Sequence, residues 1–494
     1  MKNEPSTVWN PSSPQALLLN PEEGAPPLVQ ALKDYDQLQR RRYHVPAHAG
    51  LNLLPEAWDL VREPYRYDLS ELEGLDVLSE PTESIREAQA QIAKIFGVEH
   101  SYFLVNGASV GLTAALLSVV KPDETVLLAR NVHRSVLSGL ILAGVKPIWF
   151  LPERLPDWGL WGAVTPAQVE EQLNAHPAVK ALFITSPTYE GIGSDIQNIA
   201  KLCRSRDVLL VVDEAHGGLW PFSEQLPTSA TALGADIVIH SMHKSGGSLT
   251  QSALAHLPIG SRANPTVFQQ ALNTLQTTSP SYLLMASLEA TCHMLVSEAG
   301  QARIQALLEK TFRLRRELNA NLKHFRLFQP NLEEIPVWDP CKLYLVHPTE
   351  TGEDWAARLE ERDRLAYESA SPYGALYLAN LGASNEDFQV LQQALLAEDL
   401  RSTSQAQEVD LPMSLQARLE AQNPSVLLPE MAILPRDAFF STGEQVSVEQ
   451  AVGRIAKETV VHCPPGIPVL FPGERVMEMH LPFLPEEGVL VVAP

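Results

Sequence analysis

Between residues 84 and 260 the chain repeats one pattern. A short, continuously apolar run is followed by a few polar or small residues and then by a stretch with helical spacing. Ser84–Phe96 places apolar side chains at helical intervals, and Val110–Val120 is apolar on every side, which predicts a buried helix. Ser101–Val105, Thr125–Ala129, 147–151, Ala181–Thr185, Val208–Val212 and Ile237–Ile239 are runs of strand length. Their apolar residues are consecutive rather than alternating, as in parallel strands covered on both faces. A further helix is predicted near 165–175. Strand and helix in regular alternation predict an α/β fold, with a mostly parallel sheet and crossover helices.

Beyond this region the spacing changes. One long helix is predicted over about 281–322, with Ile304, Leu307, Leu308, Phe312 and Leu314 on roughly one face. Residues 340–400 read as a small α/β unit: strand Lys342–Val346, helix 353–366, strand Ala375–Leu378 and helix 385–398. At both ends of the chain proline interrupts the pattern. Pro5, Pro11, Pro14, Pro21, Pro26 and Pro27 make residues 1–30 an irregular arm. A helix is predicted after it, at about 27–41, ending in Arg40-Arg41-Arg42. Arg401–Gln407 has the composition of a linker, and 412–494 is again rich in proline.

Composition narrows the class. A chain of 494 residues exceeds one ordinary core, so two or three domains are expected. A formal net charge of −22 disfavours nucleic acid and anionic membranes as partners. Cys203, Cys292, Cys341 and Cys463 lie far apart, which points to reduced thiols rather than disulfides or a zinc site. No apolar leader follows Met1 and no long apolar run occurs later, so a cytoplasmic protein is expected.

The candidate chemistry sits where strands end. One apolar run finishes in Asp213-Glu-Ala-His216, and the next in Ser241-Met-His243-Lys244. Ligands of open α/β sheets bind at the carboxyl ends of parallel strands, so these groups should face one crevice. A lysine and a carboxylate brought together there suggest Schiff-base chemistry with pyridoxal 5'-phosphate, the aspartate keeping the pyridine nitrogen protonated. Asp213-Glu-Ala-His216 also spells a helicase metal box. That reading needs a Gly-Lys-Ser or Gly-Lys-Thr phosphate loop, and the chain has neither. Asn106-Gly107-Ala108-Ser109 lies between a strand and a helix, an arrangement that aims backbone N–H groups at a phosphate. His133, past another strand, either stacks on an aromatic cofactor or serves as an ordinary cap. Ser186–Gly191 is a further polar strand end. His44 and His48 are separated by Pro46, which forbids a regular helix and makes metal ligation a poor reading, so no metal is expected. Gln276–Tyr282 is polar and turn-like: either a helix N-cap or a subunit boundary.

Taken together, Asn106–Ser109, Arg130–Ser135, Ser186–Tyr189, Asp213–Gly217, Ser241–Lys244, Leu249–Gln251, Thr277–Tyr282 and Pro464–Pro468 resemble the PLP-dependent ornithine/lysine/arginine decarboxylases. The likeness is to the short form of this fold type I family, without an N-terminal wing domain. It implies an aminotransferase-like PLP domain over 81–320, preceded by an arm and dimer-contact segment over 1–80. A small α/β domain over 321–400 and a C-terminal α+β decarboxylase domain over 401–494 would follow. It further implies that Lys244 is the Schiff-base lysine, Asp213 the pyridinium partner and His243 a neighbour of the imine. His133 would stack on the ring and His216 would lie over the cofactor. Ala108, Ser109 and Ser241 would lie at the phosphate, and Thr277 or Thr278 would reach the phosphate of a neighbouring subunit in a homodimer or larger homo-oligomer. The substrate implied is a basic amino acid, arginine ahead of lysine and ornithine, decarboxylated for polyamine synthesis.

Three departures from the family stand out. Pro-Gly-His-Lys-Gly is here Pro46-Ala47-His48-Ala49-Gly50, a phosphate-side threonine is Ala108, and a segment that usually ends Leu-His reads Asp76-Val-Leu-Ser79. Two alternatives remain: another fold type I reaction (transamination or a lyase step), and an inactive regulatory homologue. The second would predict loss of Lys244 or Asp213, and both are present.

Overall fold

A computed structural model describes residues 34–56, 64–72, 74–402, 424–461 and 468–493. The proline-rich arm over 1–30, most of the linker, Cys463 and Pro464–Pro468 up to residue 467 lie outside these.

The large sheet has seven strands: β1 (Val98–Leu104), β2 (Thr125–Ala129), β3 (Lys146–Phe150), β4 (Val179–Thr185), β5 (Leu209–Asp213), β6 (Ile237–His240) and β7 (Ala253–Pro258). Their spatial order is β1-β7-β6-β5-β4-β2-β3. The pairings among β3, β2, β4, β5 and β6 are parallel, and β7 runs antiparallel to both of its neighbours. Both faces are covered, which explains the continuous apolar runs. Val126, Leu128, Val211 and Ile239 pack into one buried cluster with Leu116, Leu140 and Phe268. Leu127, Leu182, Leu210, Val212 and Val238 pack into another with Val169 and Ile199.

The crossover helices are α1 (Ser84–Phe96), α2 (Gly107–Val119), α3 (Ser135–Ala143), α4 (Pro166–Ala175) and α5 (Ile196–Ser205). Helix α4 begins with a capping box, Thr165 and Gln168 each satisfying the other's backbone N–H. Helix α1 begins on Asp76, whose buried carboxylate accepts backbone N–H groups from Val77, Thr82, Glu83, Ile85 and Arg86. Burial opposes ionisation of Asp76, but those donors outweigh it and hold its pKa at about 2. Asp76, the first residue of the Asp76–Ser79 segment, thus serves the start of a helix.

The single helix expected over 281–322 is two: Tyr282–Val296 and Glu298–Asn321. Ser297 divides them. Its hydroxyl donates to the Met294 carbonyl (2.7 Å) and accepts the Gly300 N–H (3.1 Å). A Cβ on Gly300 would lie 1.9 Å from the Met294 carbonyl oxygen, so this junction admits only glycine.

The small domain carries β8 (Arg326–Leu327), β9 (Lys342–Val346), β10 (Ser369–Ala370) and β11 (Gly374–Leu378) in the order β8-β9-β11-β10, all antiparallel. Gly352–Asp363 and Asn385–Ser402 are its helices. The helix expected at about 27–41 stops short of the arginine run: residues 34–37 are helical, those before 34 lie outside the described residues, and Arg41–Tyr43 is a strand, paired in parallel with Leu365–Tyr367. The run is held open by ion pairs with the small domain. Arg40 meets Glu360 at 2.6 Å, and Arg41 meets Asp387 and Glu386 at 2.5 and 2.7 Å.

Residues 424–461 and 468–493 build a third unit around Val446, Ala451, Val469, Leu470, Val476 and Val489. It joins the large domain through Arg130. Both Arg130 and Glu474 are wholly buried, with guanidinium-to-carboxylate distances of 2.5 and 2.8 Å. Arg130 also donates to the carbonyls of Pro468 and Val469, and lies over the stacked rings of Trp149 and Phe471. Cys203, Cys292 and Cys341 are free and buried. Burial raises all three thiol pKa values, that of Cys203 to about 12. Among the described residues no helix is long and apolar enough to cross a membrane.

Candidate active site

The carboxyl ends of β1, β2, β4, β5 and β6 open on one edge of the sheet, and they deliver the polar runs singled out in the sequence. Neighbouring ends are tied together: Ser186 N–H donates to the Asp213 carbonyl and Glu214 N–H to that of Ile239, each at 3.0 Å. The antiparallel β7 brings its beginning to the same edge, and there the Gln251 amide donates to the Val105 carbonyl at 2.6 Å.

Lys244 lies in the four-residue helix Met242–Ser245 that follows β6. Its ammonium donates to Nε2 of His216 at 3.0 Å and sits 5.4 Å from the centre of the Tyr189 ring. Burial lowers its pKa, Lys342 adds to that, and Asp213 and Glu368 oppose it. His216 is buried, and its ring lies 4.3 Å from that of Tyr189. Its pKa is well below the usual value, through burial first and then through the charges of Lys244, Lys342, His243 and His133. It is therefore neutral and accepts from Lys244 on Nε2, which places its proton on Nδ1. That Nδ1 is enclosed and has no hydrogen-bond partner.

Asp213 ends β5, almost wholly buried, and one carboxylate oxygen accepts the Ala215 N–H at 3.1 Å. His133 follows β2. Its Nδ1 accepts the Ser135 N–H at 3.2 Å, so the proton of the neutral ring is on Nε2. Burial lowers its pKa, with Asp213 raising it and Lys244 lowering it further. His243 donates from Nδ1 to the Ser252 carbonyl at 3.1 Å, leaving Nε2 as the free acceptor. Burial lowers its pKa, and Lys244 and His48 add to that. The Ala47–Gly50 departure lies against this residue: Ala47 N–H donates to the His243 carbonyl at 3.0 Å.

At the start of α2, Asn106 makes no side-chain cap, so the N–H groups of the first turn, around Ala108 and the exposed Ser109, are left open. Ser241 is buried and likewise caps nothing with its side chain. Thr277 and Thr278 are exposed. Thr277 N–H donates to Oδ1 of Asn106 in its own chain at 3.2 Å, and the Gln276 amide pairs with Val105 N–H and the Phe103 carbonyl. The helix that follows is capped by Ser281 rather than by either threonine.

Lys244, Asp213, His133, His216 and His243 thus lie within electrostatic reach of one another. Sequence reasoning gave no role to Tyr189, Glu190, Lys342 or Glu368. Tyr189 stood in a quoted run. Lys342 could have been noticed as a cation opening an otherwise apolar strand. Glu368 carries no such signal, and only the folded chain brings it near Lys244. His44 and His48 remain apart in role: His44 bonds Tyr35, and His48 accepts the Gly50 N–H.

Comparison with known proteins agrees with this picture. Residues 26–364 match the model of the Orn/Lys/Arg decarboxylase major domain, and 417–485 that of the Orn/Lys/Arg decarboxylase C-terminal domain. The arginine decarboxylase of Bacillus anthracis is 33% identical over 468 residues, 93% of this chain and 92% of that protein. That of Bacillus subtilis strain 168 is 34% identical over 471 residues, with the same coverage. Among solved structures, the Francisella novicida lysine decarboxylase LdcF superposes with a TM-score of 0.74 at 20% identity, covering 94% of this chain and 83% of that one. The Escherichia coli constitutive lysine decarboxylase gives 0.70 at 22%, covering 95% and 82%.

The fold is accordingly the aminotransferase-like arrangement of fold type I, as the sequence led us to expect. More narrowly, the chain belongs to the Orn/Lys/Arg decarboxylase family.

Proposed function

We propose that the protein decarboxylates a basic L-amino acid, arginine ahead of lysine and ornithine, giving CO2 and agmatine or a diamine for polyamine synthesis. One observation carries the reading. The ammonium of Lys244 donates to a buried, neutral His216 in a crevice that Asp213 also enters.

These residues suit pyridoxal 5'-phosphate. An amine of lowered pKa, a buried carboxylate, an unpartnered imidazole N–H and an uncapped helix start supply partners for an aldehyde, a pyridine nitrogen, ring substituents and a phosphate. Lys244 would hold the aldehyde and Asp213 the ring nitrogen. His133 and His216 would lie against the ring, and Ala108, Ser109 and Ser241 at the phosphate, with Thr277 or Thr278 reaching a partner's. Bound there, the cofactor supplies a sink for the electron pair left when CO2 departs.

The chain's own groups then have distinct tasks. His216, being neutral, accepts a hydrogen bond from Lys244 and orients its amine, and the burial that lowers the pKa of Lys244 favours the nucleophilic free base. Asp213 would favour the charged form of the cofactor's ring nitrogen. His243, with Nδ1 tied to Ser252, presents Nε2, and it or Lys244 returns a proton to the α-carbon. We further assign 1–80 to an arm and dimer contact, 81–320 to cofactor binding, 321–400 to the small domain and 401–494 to the C-terminal domain, in a cytoplasmic homodimer or larger homo-oligomer.

The test is incubation of the purified protein and cofactor with arginine, lysine and ornithine separately. Release of CO2 with the matching amine is expected. A keto acid in place of CO2 would make the enzyme a transaminase, and no turnover of any of the three would leave the inactive homologue.

A further inference from the structure

Lys342 opens β9, opposite Leu378 of β11, and is only 3% exposed. Its backbone is fixed, because Arg315 Nη1 donates to its carbonyl at 3.2 Å. Its side chain runs past Gly191, at the end of the loop after β4. A Cβ on Gly191 would lie 2.6 Å from Cγ of Lys342, so the glycine leaves the channel that the lysine occupies. Among the described residues the ammonium has no hydrogen-bond or ion-pair partner. The nearby acid Asp339 is already engaged, accepting from Trp220 Nε1 at 3.2 Å and from Cys341 N–H at 2.9 Å. Glu190 feels the charge of Lys342, yet its hydrogen bond comes from the Thr188 hydroxyl at 3.0 Å. The same charge reaches Lys244 and His216.

A cation without a protein partner, carried on an almost enclosed side chain, is a ready counter-charge for an arriving anion. The proposed substrate brings one. Its α-amine must come to Lys244, and its carboxylate is on the same carbon. We propose that Lys342 anchors the α-carboxylate of the amino-acid substrate, the group that the reaction removes. The assignment rests on the decarboxylase reading above. Loss of the carboxylate as CO2 takes away the anion that Lys342 holds, so the amine product is bound without this contact. One residue then separates substrate from product.

The test uses the PLP-loaded enzyme and follows the absorption of the bound cofactor on rapid mixing. The probes are the amino acid that the wild type decarboxylates, its α-carboxamide and its decarboxylated amine. In the wild type the carboxamide should bind about 10- to 100-fold more weakly than the acid, the range of one charge-assisted hydrogen bond. In Lys342→Met the acid should weaken by a similar factor while the amine changes less than about twofold, the scale of context effects. Equal weakening of acid and amine, or no change in either, would overturn the anchor. Should Lys342→Met melt early or fail to take up cofactor, the wild-type comparison decides alone, and equal affinity for acid and carboxamide rejects the proposal. CO2 release by the wild type is scored separately, so failure of the anchor in a decarboxylating enzyme is distinct from failure of the assigned function.

Discussion

Arg130 and Glu474 are 344 residues apart in the chain and form a two-pronged ion pair from which water is wholly excluded. Arg130 begins the loop that carries His133, and Glu474 belongs to the C-terminal unit. The two units are therefore joined by a contact that tolerates no half measure. Glu474→Ala leaves a buried guanidinium without its partner, which should cost about 3–5 kcal/mol. Glu474→Gln, which keeps one acceptor, should cost less. Thermal melting of both variants checks the order, and equal melting points to the wild type would show that the pair contributes nothing.

Lys244→Ala should bind the cofactor without the yellow colour of a lysine-bound pyridoxal and should have no measurable turnover. The motive is the position of its amine, 3.0 Å from His216 at the strand-end crevice. A spectrum unchanged from the wild type would remove Lys244 from the role assigned to it.

Asp213→Asn should keep the cofactor bound but lose at least about 100-fold in kcat, since an amide does not favour a protonated pyridine nitrogen. The absorption spectrum reports occupancy and the rate reports the electron sink. Near-normal turnover in a fully occupied variant would sink the idea.

Mixing tests the shared site. Lys244→Ala and a Thr277→Ala/Thr278→Ala double variant, each nearly inactive, would be unfolded and refolded together. If chains pair at random, half the dimers are hybrids with one intact site of two, and about a quarter of wild-type activity returns. Hybrids that form without regaining activity would place each site within one chain.

His256 offers a pH test away from the crevice. It is fully buried, stacked on Phe96, with Nε2 unpartnered, and burial lowers its pKa well below the ordinary 6.5. Above about pH 6.5 both folded and unfolded chains hold it neutral, and it has no effect on stability. Below that, only the unfolded chain takes up the proton, so stability falls as the medium is acidified, by about 1.4 kcal/mol per pH unit for this group. His256→Gln should reduce the acid-side slope of stability against pH by that one proton, as read from urea midpoints between pH 5 and 8. An unchanged slope would mean that His256 titrates normally in the fold.

Much of this architecture is legible in the chain because it depends on local rules. Consecutive apolar residues marked the strands of a sheet covered on both faces, and the polar clusters just after them marked the crevice. What escaped depended on distant partners. Arg41 looks like the end of a helix until Glu386 and Asp387, far along the chain, draw it into a strand. The break at Ser297 is set by one hydroxyl bridging Met294 and Gly300, a geometry that helical periodicity does not encode. Glu368 and Lys342 belong to the small domain, and only its docking brings them to Lys244.

The three enclosed thiols have a practical consequence. Cys203, Cys292 and Cys341 lie respectively on a crossover helix, on the helix ahead of Ser297 and at the mouth of β9, and burial suppresses the thiolate of each. Alkylating reagents attack thiolates they can reach, so the intact molecule should be slow to react at these positions. Each becomes a clock for a different part of the chain: the rate at which it is tagged, read peptide by peptide, times the opening of that part without any engineered probe.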